Sequence, residues 1–240
     1  MRRSGAPRLF VDGGLAVGAI VELPDTVAHH AQRVLRLRVG DPITLFDGRG
    51  GEYAARLHAP ARARIEHFDP VERESPLALT LIQALVASDK LDWLIEKAVE
   101  LGAAAIVVAP ATRSVVRLDG DRLARRRLHW RDITVAACSQ CGRNRLPAVS
   151  DATTLEAALA ATEAAQKFML APASQRSFTT SANLPTAIAV GPEGGFSEAE
   201  LALAERHGFL PVRAGPRVLR TETAGLAALA ALQALHGDLR

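Results

Sequence analysis

The chain of 240 residues carries 29 Lys and Arg against 26 Asp and Glu, a formal net charge of +3, with 48% apolar and 23% charged residues. That composition excludes a disordered chain, a collagen-like fibre and a disulfide scaffold, and the length suffices to bury a full core without cross-links. Two cysteines cannot build a secreted framework, so a reducing compartment, the cytoplasm, is expected.

Residues 1–72 read as short β segments with turn signals. The start, Met1-Arg2-Arg3 and then Leu9-Phe10-Val11, has a faint look of a signal peptide, but Asp12-Gly13-Gly14 interrupts any apolar region. Pro42–Phe46 runs into Asp47-Gly48 and is followed by Glu52–Leu57, a hairpin signal. A short helix is expected around His29–Leu37. The whole looks like a small β-barrel. The stretch from Asp69-Pro70 to Ser75-Pro76 is charged and proline-punctuated, and it divides the chain into domains 1–73 and 74–240.

Beyond it, Leu77–Val86 reads as a buried strand. Ser88 or Asp89 is placed to cap a helix whose face is Leu91, Leu94, Ile95, Ala98 and Leu101, with Gly102 after its end. Ala104–Ala109 is a strand, Asp121 to about Cys138 a long basic helix, Leu155–Gln166 a helix and Lys167–Ala171 a strand. Thr186–Val190 is a strand before a glycine loop. Ser197 opens a helix with Glu200 at capping-box spacing, Gly208 ends it, Phe209–Val212 is a strand, and Ala224–His236 is the last helix. This alternation predicts an α/β fold with a mostly parallel sheet. The longest apolar runs, Ala103–Ala109 and Ala224–Leu235, are too short for a membrane span of about 18 or more residues.

The charge is informative by segment. Residues 113–145 hold nine Arg against three Asp, a local net of +6, whereas residues 150–212 are net −4. A basic block points to a polyanion partner, most often nucleic acid. A coding bias is the alternative, since 26 of the 29 basic residues are Arg.

Four segments carry chemistry. Val190-Gly191-Pro192-Glu193-Gly194-Gly195-Phe196-Ser197 sits between a strand and a capped helix, where α/β proteins place ligands. It is neither a phosphate-binding P-loop nor a dinucleotide fingerprint, and a plain tight turn is the alternative. Ala214–Ala224 has the same context. Thr221 or Thr223 is placed to cap the last helix, which leaves Arg217, Arg220 and Glu222 convergent in one short turn. In Cys138-Ser139-Gln140-Cys141-Gly142-Arg143-Asn144-Arg145 the paired cysteines lack the further ligands that zinc needs, so no metal is expected, and Arg143, Asn144 and Arg145 are anion-binding candidates. The segment His29–Arg38 places Arg33 and Arg36 or Arg38 on an exposed helix face.

Together these segments resemble the RsmE family of bacterial 16S ribosomal RNA (uracil-N3)-methyltransferases, within the SPOUT superfamily. The resemblance rests on His29-His30 with Val34-Leu35-Arg36, Gly40-Asp41 and Asp47-Gly48. It continues in Glu96-Lys97, Glu100-Leu101-Gly102, Arg113-Ser114 and Gln140–Arg145 with Pro147. It is most specific in Gly191-Pro192-Glu193-Gly194-Gly195-Phe196 followed by Leu219-Arg220-Thr221-Glu222-Thr223-Ala224. Ser139 stands where the family commonly has an acid.

The resemblance implies an N-terminal PUA-like β-barrel that binds rRNA and a C-terminal SPOUT α/β domain with a deep trefoil knot. It implies S-adenosylmethionine as cofactor, no metal, and a homodimer with its active site at the subunit interface. The substrate would be a uridine of 16S rRNA in the small ribosomal subunit, methylated at N3. The cofactor would be held by Leu170, Gly191, Pro192, Glu193, Gly194, Gly195, Gly215, Leu219, Thr221, Thr223 and Ala224. Arg220 would stabilise charge on the uracil, with Glu193 or Glu222 orienting it or taking the proton. Arg33, Arg36, Arg113, Arg143, Asn144 and Arg145 would contact RNA. The alternatives are a non-catalytic rRNA-binding assembly protein and a SPOUT enzyme acting on a ribose 2′-OH.

Overall fold

Burial alternates along the early strands and is nearly continuous along the later ones, so the chain builds two kinds of sheet, one with a wet face and one covered on both sides. The computed structural model describes residues 5–177, 180 and 184–239; Met1-Arg2-Arg3 lie outside them. The chain forms two compact units, the first running to Glu74 and including Cys138–Leu146, the second comprising Ser75–Ala137 and Pro147 onward.

The first unit is a curled five-stranded sheet, a PUA-like half-barrel, in the order β1-β3-β4-β5-β2. Its strands are β1 (Arg8–Phe10), β2 (Ile20–Glu22), β3 (Pro42–Phe46), β4 (Glu52–Ala59) and β5 (Arg62–Asp69). The expected hairpin joins β3 to β4, antiparallel, through Asp47–Gly51, with Gly48 at φ 81°. β1 pairs parallel with β3. Leu9, Ile43, Leu45, Leu57 and Ile65 fill the concave side. The three-residue β2 escaped the sequence reading because it has no apolar run of strand length. The helical segment starts earlier than expected: α1 (Asp25–His29) continues as a π-helical turn, His30–Val34, and the chain leaves it with Arg36 at φ 57°.

The second unit holds a six-stranded sheet of order β11-β9-β10-β6-β7-β8, all pairs parallel. The strands are β6 (Leu79–Ala84), β7 (Ala105–Ala109), β8 (Ala148–Asp151), β9 (Gln166–Leu170), β10 (Thr186–Val190) and β11 (Leu210–Val212). The helices are α2 (Ser88–Glu100), α3 (Gly120–Cys141, its last turn counted with the first unit), α4 (Leu155–Ala160), α5 (Glu198–Arg206) and α6 (Thr221–His236). The α/β class is as expected. The helix after Ser197 carries the full capping box with Glu200, and Gly102 closes α2 at φ 78°.

Three local expectations are corrected. Neither Ser88 nor Asp89 caps α2, because the helix already begins at Ser88 and its N-cap is Ala87, without a side-chain bond. Helix α4 stops at Ala160, not Gln166; the Thr162 hydroxyl turns back on the Ala158 carbonyl at 2.7 Å and Gln166 already belongs to β9. Helix α6 starts at Thr221 rather than Ala224, with Arg220 as N-cap and no side-chain cap. Among the described residues no helix is long and apolar enough to cross a membrane.

Candidate functional site

The C-terminal ends of parallel strands expose unpaired backbone groups, and the loops leaving them enclose a cavity of about 770 Å³ in the second unit. Its walls are Leu170 and the residues after β9, the glycine loop after β10, and the segment Val218–Ala224 that enters α6. Of the cofactor-binding candidates, Leu170, Gly191, Pro192, Glu193, Gly194, Gly195, Leu219, Thr221 and Ala224 line it, and so do Arg220 and Glu222. Gly215 and Thr223 do not: Gly215 is exposed in a turn at φ 80°, and exposed Thr223 gives its N–H to the Arg220 carbonyl at 3.0 Å.

Gly191 allows a close approach: a Cβ there would lie 3.1 Å from the Phe196 nitrogen, a tight contact that the folded-back loop avoids. The Gly195 N–H closes a turn on the Pro192 carbonyl at 2.8 Å, with Gly195 at φ 67°. Arg113 braces this loop: its guanidinium donates to the Gly194 carbonyl at 2.7 Å, and its aliphatic stem lies where a Gly194 side chain would go. The RNA candidate Arg113 is thereby placed at the cavity wall. Its own loop is held by Glu200, which accepts the Thr112 N–H at 2.8 Å. Burial would raise the Glu200 carboxyl, but the Ser197 and Thr112 groups bonded to it outweigh that and hold it below its usual range.

Thr221 does not cap α6. Its hydroxyl donates to the Gly191 carbonyl at 2.5 Å and accepts from the amide of fully buried Gln83 at 2.9 Å, joining the ends of β6, β10 and α6. The charged groups differ in their partners. Glu193 accepts from Lys90 at 2.9 Å, a contact that lowers the carboxyl and raises the amine. Glu222 has one carboxylate oxygen buried without a hydrogen-bond partner. The Arg220 guanidinium is exposed and makes no hydrogen bond or ion pair among the described residues. Sequence reasoning missed Lys90, the first-turn residue of α2, because no spacing rule links it to a loop a hundred residues on.

The remaining RNA candidates lie in the first unit. Arg33 and Arg36 are exposed. Arg143 and Asn144 are not: Arg143 is 5% exposed and paired with Glu74, and Asn144 is 1% exposed, accepting from Arg8 at 2.7 Å and donating to the Val71 carbonyl at 2.8 Å. Arg8 and Arg73 share Glu52 in the same network, and these arginines outweigh burial to keep its carboxyl below the usual range. Only Arg145 of this segment turns outward, paired with Glu72 at 2.7 Å. Buried Cys138 is pushed up to about 12 by desolvation, so it stays a thiol, and the described residues contain no group of three or more metal-ligating side chains.

The family model described as an RNA methyltransferase domain matches residues 73–233, and one described as an RNA methyltransferase PUA domain matches residues 23–65. The ribosomal RNA small subunit methyltransferase E of Bacillus subtilis is 33% identical over 88% of this chain and 90% of its own length. Among solved structures, a methyltransferase from Legionella pneumophila in complex with the cofactor SAM superposes with a TM-score of 0.94 at 35% identity, over 98% of this chain and all of that one. The ribosomal RNA small subunit methyltransferase E of Neisseria gonorrhoeae bound to S-adenosyl methionine gives 0.89 at 37% identity, again over 98% of this chain and all of that one. This chain belongs to the RNA methyltransferase family of the ribosomal RNA small subunit methyltransferases E, with its PUA domain at the N-terminal end.

Proposed function

We propose that the protein is an S-adenosylmethionine-dependent methyltransferase that methylates N3 of a specific uridine in the 16S rRNA of the small ribosomal subunit. The observation that carries this reading is the cavity itself. A tightly folded glycine loop lies beside the exposed Arg220 and one buried, unpartnered Glu222 carboxylate oxygen, in a chain matched over 98% of its length by relatives solved with that cofactor. The cavity fits the cofactor, with Gly191, Gly194 and Gly195 giving backbone access, Leu170 and Leu219 apolar walls, and Thr221 fixing the loop.

S-adenosylmethionine, when bound, supplies an already activated methyl group, so the chain's tasks are positioning and the handling of one proton. Uridine N3 carries an imide proton, and Glu222 takes it at the oxygen that has no other partner. Glu193 is the poorer base, because Lys90 already neutralises it. Arg220 faces the negative charge that develops over O2, N3 and O4. The target base is unpaired or flipped when it enters. Arg33, Arg36, Arg113 and Arg145 contact the RNA backbone, while Arg143 and Asn144 hold the first unit together. The enzyme works in the cytoplasm as a homodimer, and the SPOUT trefoil knot lies at the cofactor loops.

Nucleoside mass spectrometry of 16S rRNA from a strain lacking the gene, with and without complementation, tests the reading. Loss and recovery of N3-methyluridine is the expected result; an unchanged level would overturn it.

A further inference from the structure

Five charged side chains line the cavity, from four places in the second unit: Lys90 in the first turn of α2, Arg113 in the loop after β7, Glu193 in the glycine loop, and Arg220 and Glu222 at the start of α6. The three cations differ in what they have left to give. Arg113 is turned to the Gly194 and Phe196 carbonyls. Lys90 donates once, to Glu193 at 2.9 Å, and an ammonium has three N–H donors, so two stay open. Its side chain is 32% exposed, and it lines the same cavity as Arg220 and Glu222. The Glu193 carboxylate restrains the end of a long, flexible stem and so pre-positions an ammonium in the wall. The amine stays charged: the hydrogen bond to Glu193 raises it most, and Glu222 adds to the rise while Arg220 opposes it. Lys90 is thus within electrostatic reach of both residues that flank Thr221.

The chemistry of the target has a place for such a donor. Uracil N3 lies between two carbonyl groups, and when its proton leaves, the charge spreads to both O2 and O4. These oxygens stand on opposite sides of N3. A single guanidinium answers one of them, and the other needs a donor of its own.

We propose that Lys90 is a catalytic residue of the methyl transfer: its ammonium, held by Glu193, donates to one carbonyl oxygen of the uracil imide while Arg220 faces the other. Glu193 is then a positioning residue and not a base. The N3 proton passes to Glu222, the N3 lone pair attacks the methyl carbon, and the bond from that carbon to the sulfonium sulfur breaks. The products are N3-methyluridine and S-adenosylhomocysteine, and Lys90 keeps its protons throughout. The inference rests on the N3-methyltransferase reading.

Small ribosomal subunits from a strain lacking the gene, and the 16S rRNA extracted from them, are methylated in single turnover across pH with methyl-labelled S-adenosylmethionine. Lys90→Met keeps the apolar stem and removes the charge. It is expected to lower the rate about 100-fold, the size of one lost charge-stabilising donor. It is also expected to move the rising limb of the pH–rate profile upward by about 1–3 units, because the anion at N3 loses a nearby cation. Lys90→Arg is expected to recover both. Glu193→Gln still accepts from Lys90 but removes an anion, so it is expected to move the limb downward. Calorimetry with S-adenosylmethionine is expected to be unchanged in Lys90→Met, which also reports an intact fold. A limb at the parental pH in Lys90→Met would overturn the proposal. So would limbs that move the same way in Lys90→Met and Glu193→Gln, since the ion pair would then only brace the glycine loop. Weakened S-adenosylmethionine binding that accounts for the lost rate would overturn it as well, by making Lys90 a cofactor ligand. Failure of the methyltransferase reading shows instead in the parent protein, as absence of N3-methyluridine from both substrates, and takes the proposal with it.

Discussion

The Thr221 hydroxyl donates to the Gly191 carbonyl at 2.5 Å and so ties the first residue of the last helix to the first residue of the glycine loop, 30 positions earlier. The same oxygen accepts from Gln83, so one side chain satisfies two buried groups from two strands. Thr221→Val keeps the shape and removes both bonds. It is expected to cost about 1–3 kcal/mol, the penalty for leaving buried polar groups unpaired. Chemical denaturation reads the stability, and calorimetry is expected to show weaker S-adenosylmethionine binding. Thr221→Ser is expected to recover both.

Arg220 and Glu222 flank that threonine, and among the described residues their side chains make no hydrogen bond or ion pair to lose. Arg220→Ala is expected to lower methyl transfer about 100-fold, the size of one lost charge-stabilising donor. Glu222→Gln, which retains the shape without the base, is expected to lower it about 10²–10⁴-fold. S-adenosylmethionine affinity is expected to survive both changes, and the melting temperature to stay near that of the parent. Turnover at the parental rate in either variant would remove that residue from the mechanism.

The acid limb of the stability curve follows from Glu200 and Glu52, whose folded-state carboxyls titrate below the ordinary value of 4.5. A depressed carboxyl stabilises the fold above its unfolded pKa, and the contribution is lost as pH falls through the folded one. Stability is therefore expected to be flat near neutrality and to fall below pH 4.5. Glu200→Gln is expected to lower the plateau and flatten the fall, read by denaturation across pH. Gln keeps only one acceptor oxygen for the Thr112 and Ser197 N–H groups that Glu200 now holds on two, so one of them loses its partner and is expected to exchange its amide proton faster.

Arg143 and Arg145 stand two residues apart and answer differently to truncation. Arg143→Ala strips a buried partner from Glu74 and is expected to cost about 3 kcal/mol, the low end for a broken buried pair, since Glu74 keeps some access to water. Arg145→Ala is expected to leave stability nearly unchanged. Its effect is expected in the salt dependence of RNA binding instead. Equal stability losses in the two variants would contradict the burial difference.

Most of the strand and helix periods, the Asp-Gly hairpin, the Ser197–Glu200 box and the two loops that line the cavity were legible in the sequence, whereas the short strands β2 and β8 were not. Each depends on neighbours a few residues apart, and local sterics and capping act over that range. The basic block at 113–145 was legible only as a sum. Folding divides it: Arg143 turns inward to Glu74, Arg113 braces a glycine loop, Arg127 takes Asp151, and the side chains of Arg117, Arg122 and Arg125 stay exposed without a hydrogen bond or ion pair among the described residues. The same tertiary step moves Thr221 from an expected cap to a bridge, pairs Lys90 with Glu193, and leaves Glu222 as the open carboxylate. Charge type is set by sequence, but which charges stay available is set by long-range packing, because a buried ion or donor takes whatever partner the fold brings to it.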